Sequence, residues 1–238
     1  MSTRWAAEAC DRRYDPESGA LVTQLTSSAA SSINIYCEQP YTSPDGNRVA
    51  ILRRYDVSFD RTWRLLVADL TTLHLALIEP GGVVGVCNAA WSGLLHYSME
   101  DGSLRRVDLQ TLHVEPVPVP PEADLRDRGA SVSPDHRFNH VNVSRCGRYF
   151  VSDSFTAPPF DESGEIRAAK IDVGDLDSGK HRVLVEDSRS SGGGGQHMHV
   201  HAYFTADNRN VIFNADPFGG PTQVWAARVP EGFLQSLK

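Results

Sequence analysis

Three of the nine histidines fall within five residues, in the segment Gln196-His197-Met198-His199-Val200-His201. Imidazole is the commonest protein ligand for transition metals and suits Zn, Mn, Fe, Ni or Cu. In a strand, side chains at i and i+2 share a face. Read that way, His199 and His201 point together, with Cβ atoms about 7 Å apart, and can chelate one ion. His197 has the same parity and is a rival third ligand. Gln196 has the opposite parity to His199 and joins only where the chain bends, which the preceding glycines of Ser190–Gly195 permit. Spacing alone leaves two other readings open: a surface cluster with no ligand, and histidines packed in a core.

The elements that must position these side chains are short and β-rich. No stretch of twelve or more residues has apolar positions at i, i+3, i+4 and i+7. Strands are instead expected at Ala20–Thr23, Arg48–Arg53, Trp63–Asp69, Gly93–Ser98, Leu104–Leu109, Tyr149–Ser152, Ala169–Val173, Asn210–Asn214 and Gln223–Arg228. Turn signals such as Pro44-Asp45-Gly46, Cys146-Gly147 and Asp177-Ser178-Gly179 separate them. The pattern also repeats. Tyr41-Thr42-Ser43-Pro44-Asp45-Gly46 leads to Asp69-Leu70, and a degenerate copy runs from Asn88-Ala89-Ala90-Trp91 to Asp108-Leu109. A third runs from Val143–Gly147 to Asp175-Leu176, and the last starts at Phe204-Thr205-Ala206-Asp207-Asn208. Asp69 and Asp108 are 39 residues apart, close to the roughly 40–45 residues of a four-stranded propeller blade. One such sheet cannot bury both faces alone, so blades must stack around an axis. An all-β fold, a β-propeller of four-stranded antiparallel blades, is the expectation.

Composition narrows the function classes. The 238 residues carry 23 Lys+Arg against 30 Asp+Glu, a formal charge of −7, with 40% hydrophobic and 22% charged residues. That is ordinary globular composition, which excludes disorder, collagen and coiled coil. An acidic chain without a basic stripe suits neither nucleic acid nor an anionic membrane as partner. No apolar run approaches the roughly 20 residues of a membrane span, and Met1–Asp15 lacks the apolar core of a secretory signal. Cys10, Cys37, Cys87 and Cys146 show no CxxC spacing and read as isolated buried thiols of a cytoplasmic protein. Val114–Pro121 reads as an extended Pro-rich connection between blades.

Gln196-x-x-His199-x-His201, followed by Tyr203–Phe213, resembles the C-terminal blade of oligogalacturonate lyases, seven-bladed propellers that degrade short pectin fragments inside cells. The likeness continues through Ala215-Asp216, Gly219-Gly220-Pro221 and Val224–Pro230, and includes Asp15–Thr26, Ser43–Gly46 and Asn139–Arg148. The resemblance implies a Mn²⁺ ion held by three His and one Gln, which maps onto His140, Gln196, His199 and His201. It further implies β-elimination on a small acidic oligosaccharide, giving 4,5-unsaturated uronates. The alternative is a non-catalytic propeller that keeps the metal and binds acidic sugars or other carboxylates. An acidic chain acting on an anionic sugar must draw local positive charge from the metal and from nearby Arg.

The resemblance weakens in the middle. Ser131-Val132-Ser133-Pro134-Asp135 opens a blade, yet Ser144-Arg145-Cys146-Gly147 begins ten positions after Pro134, room for one strand and a turn. Four to five blades are accounted for, against seven in the family. Either the propeller is reduced, or a middle portion near 138–140 of a single domain over 1–238 is missing or deleted; the abrupt spacing favours the second. The family's base lies on middle blades, so no catalytic or substrate-binding residue is assigned. His136 and His197 read as solvated or supporting histidines rather than the base, and His74, His96, His113 and His181 as structural. Tyr36 and Gln39 are expected on the strand nearest the channel, as packing residues before sugar contacts. Oligomeric state is not legible.

Overall fold

Two hydrogen-bonded turns give the repeat its physical meaning. In the first, a Ser or Thr hydroxyl accepts from the backbone N–H five residues on: Arg48 N to Ser43 Oγ at 2.9 Å, Tyr149 N to Ser144 Oγ at 3.0 Å, and Asn210 N to Thr205 Oγ1 at 3.1 Å. The same hydroxyl meets the side chain two positions ahead, Asp45 at 2.5 Å, Asp207 at 2.7 Å and the Cys146 thiol at 3.3 Å. Burial pushes the Asp45 carboxyl up, but bonds from Ser43, Asn47 and Gln110 outweigh it and bring its pKa down to about 2. In the second turn an Asp carboxylate caps two backbone N–H groups. Asp15, Asp69, Asp108 and Asp175 all do so, at 2.7–3.3 Å. Each of these turns ends on a left-handed residue: Gly19, Leu73, Leu112 and Gly179, with φ of 72, 61, 61 and 71°.

The structure, a computed structural model, describes residues 4–37, 39–54, 63–118, 138–154, 169–190 and 199–238. The chain opens with short strands β1 (Trp5–Ala7), β2 (Arg12–Tyr14) and β3 (Leu21–Gln24). Blade 1 comprises β4 (Ser31–Ile33), β5 (Arg48–Arg54), β6 (Trp63–Asp69) and the first part of β7 (His74–Ala89). The rest of β7 leads blade 2, with β8 (Leu94–Met99), β9 (Leu104–Asp108) and β10 (Val114–Val117). Blade 3 is β11 (Phe138–Val143), β12 (Tyr149–Ser154), β13 (Lys170–Asp175) and β14 (His181–Val185). Blade 4 is β15 (Tyr203–Phe204), β16 (Asn210–Ala215) and β17 (Gln223–Arg228), and the amino-terminal β3 completes it. Trp225 pairs with Gln24 and Arg228 with Leu21, so the two ends of the chain are joined in one antiparallel ladder.

Blade 4 is buried on both faces. Val211, Phe213, Trp225 and Ala227 pack with Val151, Ile171 and Val173 of blade 3. The alternate residues Ile212, Val224 and Ala226 pack with Val49, Ile51 and Leu66 of blade 1. Period-2 alternation with both faces apolar produces this two-sided burial. Blade 2 continues the stack, because Leu95, Tyr97 and Val107 join the same core as blade 1.

Several expectations change. His74–Ala89, where no strand is expected, is one 16-residue strand shared by blades 1 and 2; its register shifts around Pro80-Gly81-Gly82 without ending it. Val114–Val117 is a strand, not an extended connector. Its Pro116 is tolerated because β10 ends the sheet, where a missing N–H breaks no ladder. Asn88–Trp91 spans the end of β7 and its tight turn into β8. All four cysteines are thiols, but only Cys37 is buried. The Ser131–Asp135 motif lies outside the described residues.

Gly174 faces Phe150 across the β12–β13 pair, and a Cβ there meets the ring at 2.2 Å. Gly174→Ala is therefore expected to destabilise the protein by about 1–3 kcal/mol through overpacking. Urea denaturation measures it, and an unshifted midpoint would contradict this placement of the ring.

Candidate metal centre

His140 lies near the start of the inner strand of blade 3, at a bulge. The β11–β12 register slips between Phe138 and Val141, and bulges of this kind re-aim a side chain. Asp153 on β12 fills the gap in the ladder. Its carboxylate accepts from the His140 backbone N–H at 2.9 Å and sits 3.1 Å from the ring Nδ1 through both oxygens. The Asp153 side chain is fully buried, against 14% exposure for that of His140. A carboxylate on Nδ1 fixes that nitrogen as the donor and leaves Nε2 as the ligating atom.

His199 and His201 come from the segment leading into β15, and it is not a strand. Val200 between them is buried in the core shared with blade 3. His201 takes φ 47°, a left-handed conformation uncommon outside Gly, Asn and Asp. Two fully buried asparagines hold this backbone. Asn34 Nδ2 donates to the His201 carbonyl at 2.8 Å and Asn214 Nδ2 to that of His199 at 3.3 Å. The Asn214 backbone N–H donates to the Val200 carbonyl at 2.8 Å. Asn34 N donates to Asn214 Oδ1 at 2.8 Å, joining the two clamps.

The three imidazoles converge. Ligand nitrogens of His140, His199 and His201 all lie within 4.8 Å of one another, with ring centroids 4.4–5.7 Å apart. Asn142, two residues beyond His140, donates to the Cys37 carbonyl at 2.8 Å and accepts from Phe204 N at 3.3 Å. It thereby ties blade 3 to blade 4 and to the 34–37 loop. Tyr36 in that loop packs its ring 4.4 Å from that of His201 and 6.4 Å from that of His140. It lies in a loop rather than on the expected strand, and the preceding Ile35 is held at φ 77°, a strained angle for a β-branched residue. Gln39 is taken up elsewhere, its side chain accepting from Asn88 N between blades 1 and 2. Gln196, His197 and His136 lie outside the described residues.

No family model matches the chain, and no curated protein matches it. Among solved structures, an oligogalacturonate lyase from Vibrio parahaemolyticus aligns over 98% of both chains at 14% identity, with a TM-score of 0.66. The chain is a β-propeller. A structure of oligogalacturonate lyase in complex with manganese also aligns over 98% of both chains, at 13% identity and a TM-score of 0.45.

The residues on this propeller fit a divalent transition metal. Three imidazoles, one with a buried carboxylate behind it, are a donor set suited to such ions. Bonds of about 2.0–2.1 Å require the ligand nitrogens to lie closer together than the 4.8 Å that encloses them here. Asp153 is the supporting residue that no sequence pattern marked; its only signal is an acidic residue inside the apolar strand Tyr149–Ser154. Asp153→Ala is expected to weaken divalent-metal binding by roughly 10–100-fold, with Asp153→Asn, which keeps an acceptor for Nδ1–H, intermediate. Calorimetric titration of Mn²⁺ into the folded variants measures this. An unchanged affinity in Asp153→Ala would remove the orienting role.

Proposed function

We propose that the chain is a metal-dependent lyase that cleaves short oligogalacturonates by β-elimination to 4,5-unsaturated uronates. In this reading His140, Gln196, His199 and His201 hold one divalent ion, Mn²⁺ by resemblance to the oligogalacturonate lyases. The observation that carries it is the convergence of His140 with His199 and His201 from two different blades, with Asp153 orienting His140.

The reaction removes the proton at C5, α to the uronate carboxylate, and breaks the bond between C4 and its oxygen. The electron pair of the C5–H bond becomes the C4–C5 double bond, and the departing oxygen takes up a proton. The ion, when bound, supplies a Lewis acid for the substrate carboxylate, countering negative charge that develops as the proton leaves. The chain's own residues do the positioning. Asp153 keeps His140 in the ligating tautomer, and Asn34 and Asn214 hold His199 and His201 against a backbone that would otherwise relax from φ 47°. Tyr36 packs its ring 4.4 Å from that of His201 and helps fix it in place. The base that takes the C5 proton is not assigned.

Both the resemblance and the four thiols support a cytoplasmic location; no helix of the described residues is long and apolar enough to cross a membrane. The test is incubation with digalacturonate and Mn²⁺, following the ultraviolet absorbance of the conjugated uronate. A rise that EDTA abolishes is expected. No rise with metal fully loaded would overturn the catalytic reading, and metal-dependent sugar binding without turnover would point to the non-catalytic propeller.

A further inference from the structure

At the opposite end of the inner strands from the histidines, a cleft of about 320 Å³ opens between blade 4 and the Asp69–Leu73 turn of blade 1. Cross-strand register places its cationic residues. Arg12 on β2 faces Thr23 on β3, which faces Ala226 on β17; one step along, Arg228 pairs with both Leu21 and Asn210. All of these lie on the blade face turned towards blade 1, as the burial of Ala226 and Ile212 in the shared core shows. Arg209 stands at the same edge, 3.7 Å from Asp207. The far wall carries Asn47 and Thr71 beside Leu70 and Leu73.

Most arginines among the described residues are engaged. Arg48, Arg53, Arg105, Arg106, Arg148 and Arg189 each face a carboxylate. Arg12 and Arg228, both exposed, have no ion pair or side-chain hydrogen bond among the described residues; Arg4 and Arg145 share that, but Arg12 and Arg228 both line the cleft. Arg12, Arg209 and Arg228 line one cleft with a single carboxylate, that of Asp207 beside Arg209, so the cleft is locally positive in a protein with net charge −7. Guanidinium matches carboxylate and phosphate in bidentate geometry. The buried hydroxyl of Thr23, with Thr71, Asn47 and Asn210, offers donors and acceptors for sugar hydroxyls. A neighbouring cavity shares Leu21, Arg209 and Arg228 and adds the ring of Tyr14, which is 72% exposed, a surface on which a sugar ring can stack.

We propose that this cleft is a second binding site, separate from the metal centre, for an anionic sugar whose carboxylate or phosphate is gripped by Arg12 and Arg228. It does not depend on the metal or on turnover, so it is tested on the full chain stripped with EDTA and dialysed. Calorimetric titrations use trigalacturonate, glucose 6-phosphate and neutral maltotriose. Binding of an anionic sugar is expected, weakened by added salt and reduced about ten-fold or more in Arg12→Ser and in Arg228→Ser, with maltotriose inert. Trigalacturonate alone binding identifies a carboxylate ligand, and glucose 6-phosphate alone a phosphate ligand. Both variants are expected to keep the wild-type melting temperature, Mn²⁺ affinity and any digalacturonate cleavage. The proposal is overturned if neither anion binds the stripped protein, if maltotriose binds equally, or if the two variants bind as the wild type does.

Discussion

Replacing His201 with Ala is expected to lower divalent-metal affinity by more than about 100-fold, beyond the roughly 10–100-fold that loss of an orienting partner causes. The remaining pair, His140 and His199, have ring centroids 5.4 Å apart, and without His201 the site loses its most buried ligand, 1% exposed. The φ of 47° is held by the Asn34 bond to the residue 201 carbonyl, which a β-carbon side chain leaves in place. The fold should therefore survive while the metal is lost. A ligand that binds only the native state at 100 times its dissociation constant stabilises it by about 2.7 kcal/mol. At this size that is a rise of several degrees in melting temperature. The wild type should show such a rise on addition of Mn²⁺, and His201→Ala should not, although both melt alike in EDTA. Metal binding by His201→Ala at wild-type affinity would place the ion elsewhere.

What could be read from the sequence followed the range of each interaction. His199 and His201 are two residues apart, so their chemistry was visible without a fold, although the expected strand is an irregular segment whose strain two asparagines hold. His140 has no local signature and entered only through family resemblance. Asp153, Asn34 and Asn214 were invisible, because buried polar residues that orient a ligand are defined by partners far along the chain, up to 180 residues from Asn34 to Asn214. Strand positions were legible where alternation met a strong turn, as at Trp63–Asp69 and Gln223–Arg228, which match residue for residue. They failed at His74–Ala89, where no strand is expected and one runs through Pro80-Gly81-Gly82, and at Val114–Val117, where Pro116 sits harmlessly on an edge. The copy from Val143–Gly147 was legible although a thiol, Cys146, stands in the turn where Asp45 and Asp207 stand in other blades.

The joining of the chain's ends leads to the second large effect. Trp225 is fully buried on β17, the strand that carries the amino-terminal β3. Its ring stacks on Phe213 at 6.4 Å, with Arg13 at 5.4 Å and Arg189 at 5.9 Å over the indole. Trp225→Ala removes the largest buried side chain of blade 4 and should destabilise the protein by about 3–5 kcal/mol, roughly 6–20 °C in melting temperature. The indole N–H makes no hydrogen bond among the described residues, and a buried unsatisfied donor is itself destabilising by about 1–3 kcal/mol. Trp225→Phe deletes that donor and keeps an aromatic ring over Phe213, so it should fall within about 1.5 kcal/mol of wild type. The two substitutions separate packing from polarity at one position. Urea unfolding measures both. Equal destabilisation by Phe and Ala would mean that the N–H, not the ring, is what the blade needs. A loss below about 1 kcal/mol in Trp225→Ala would mean that β3 and β17 close the propeller without this core.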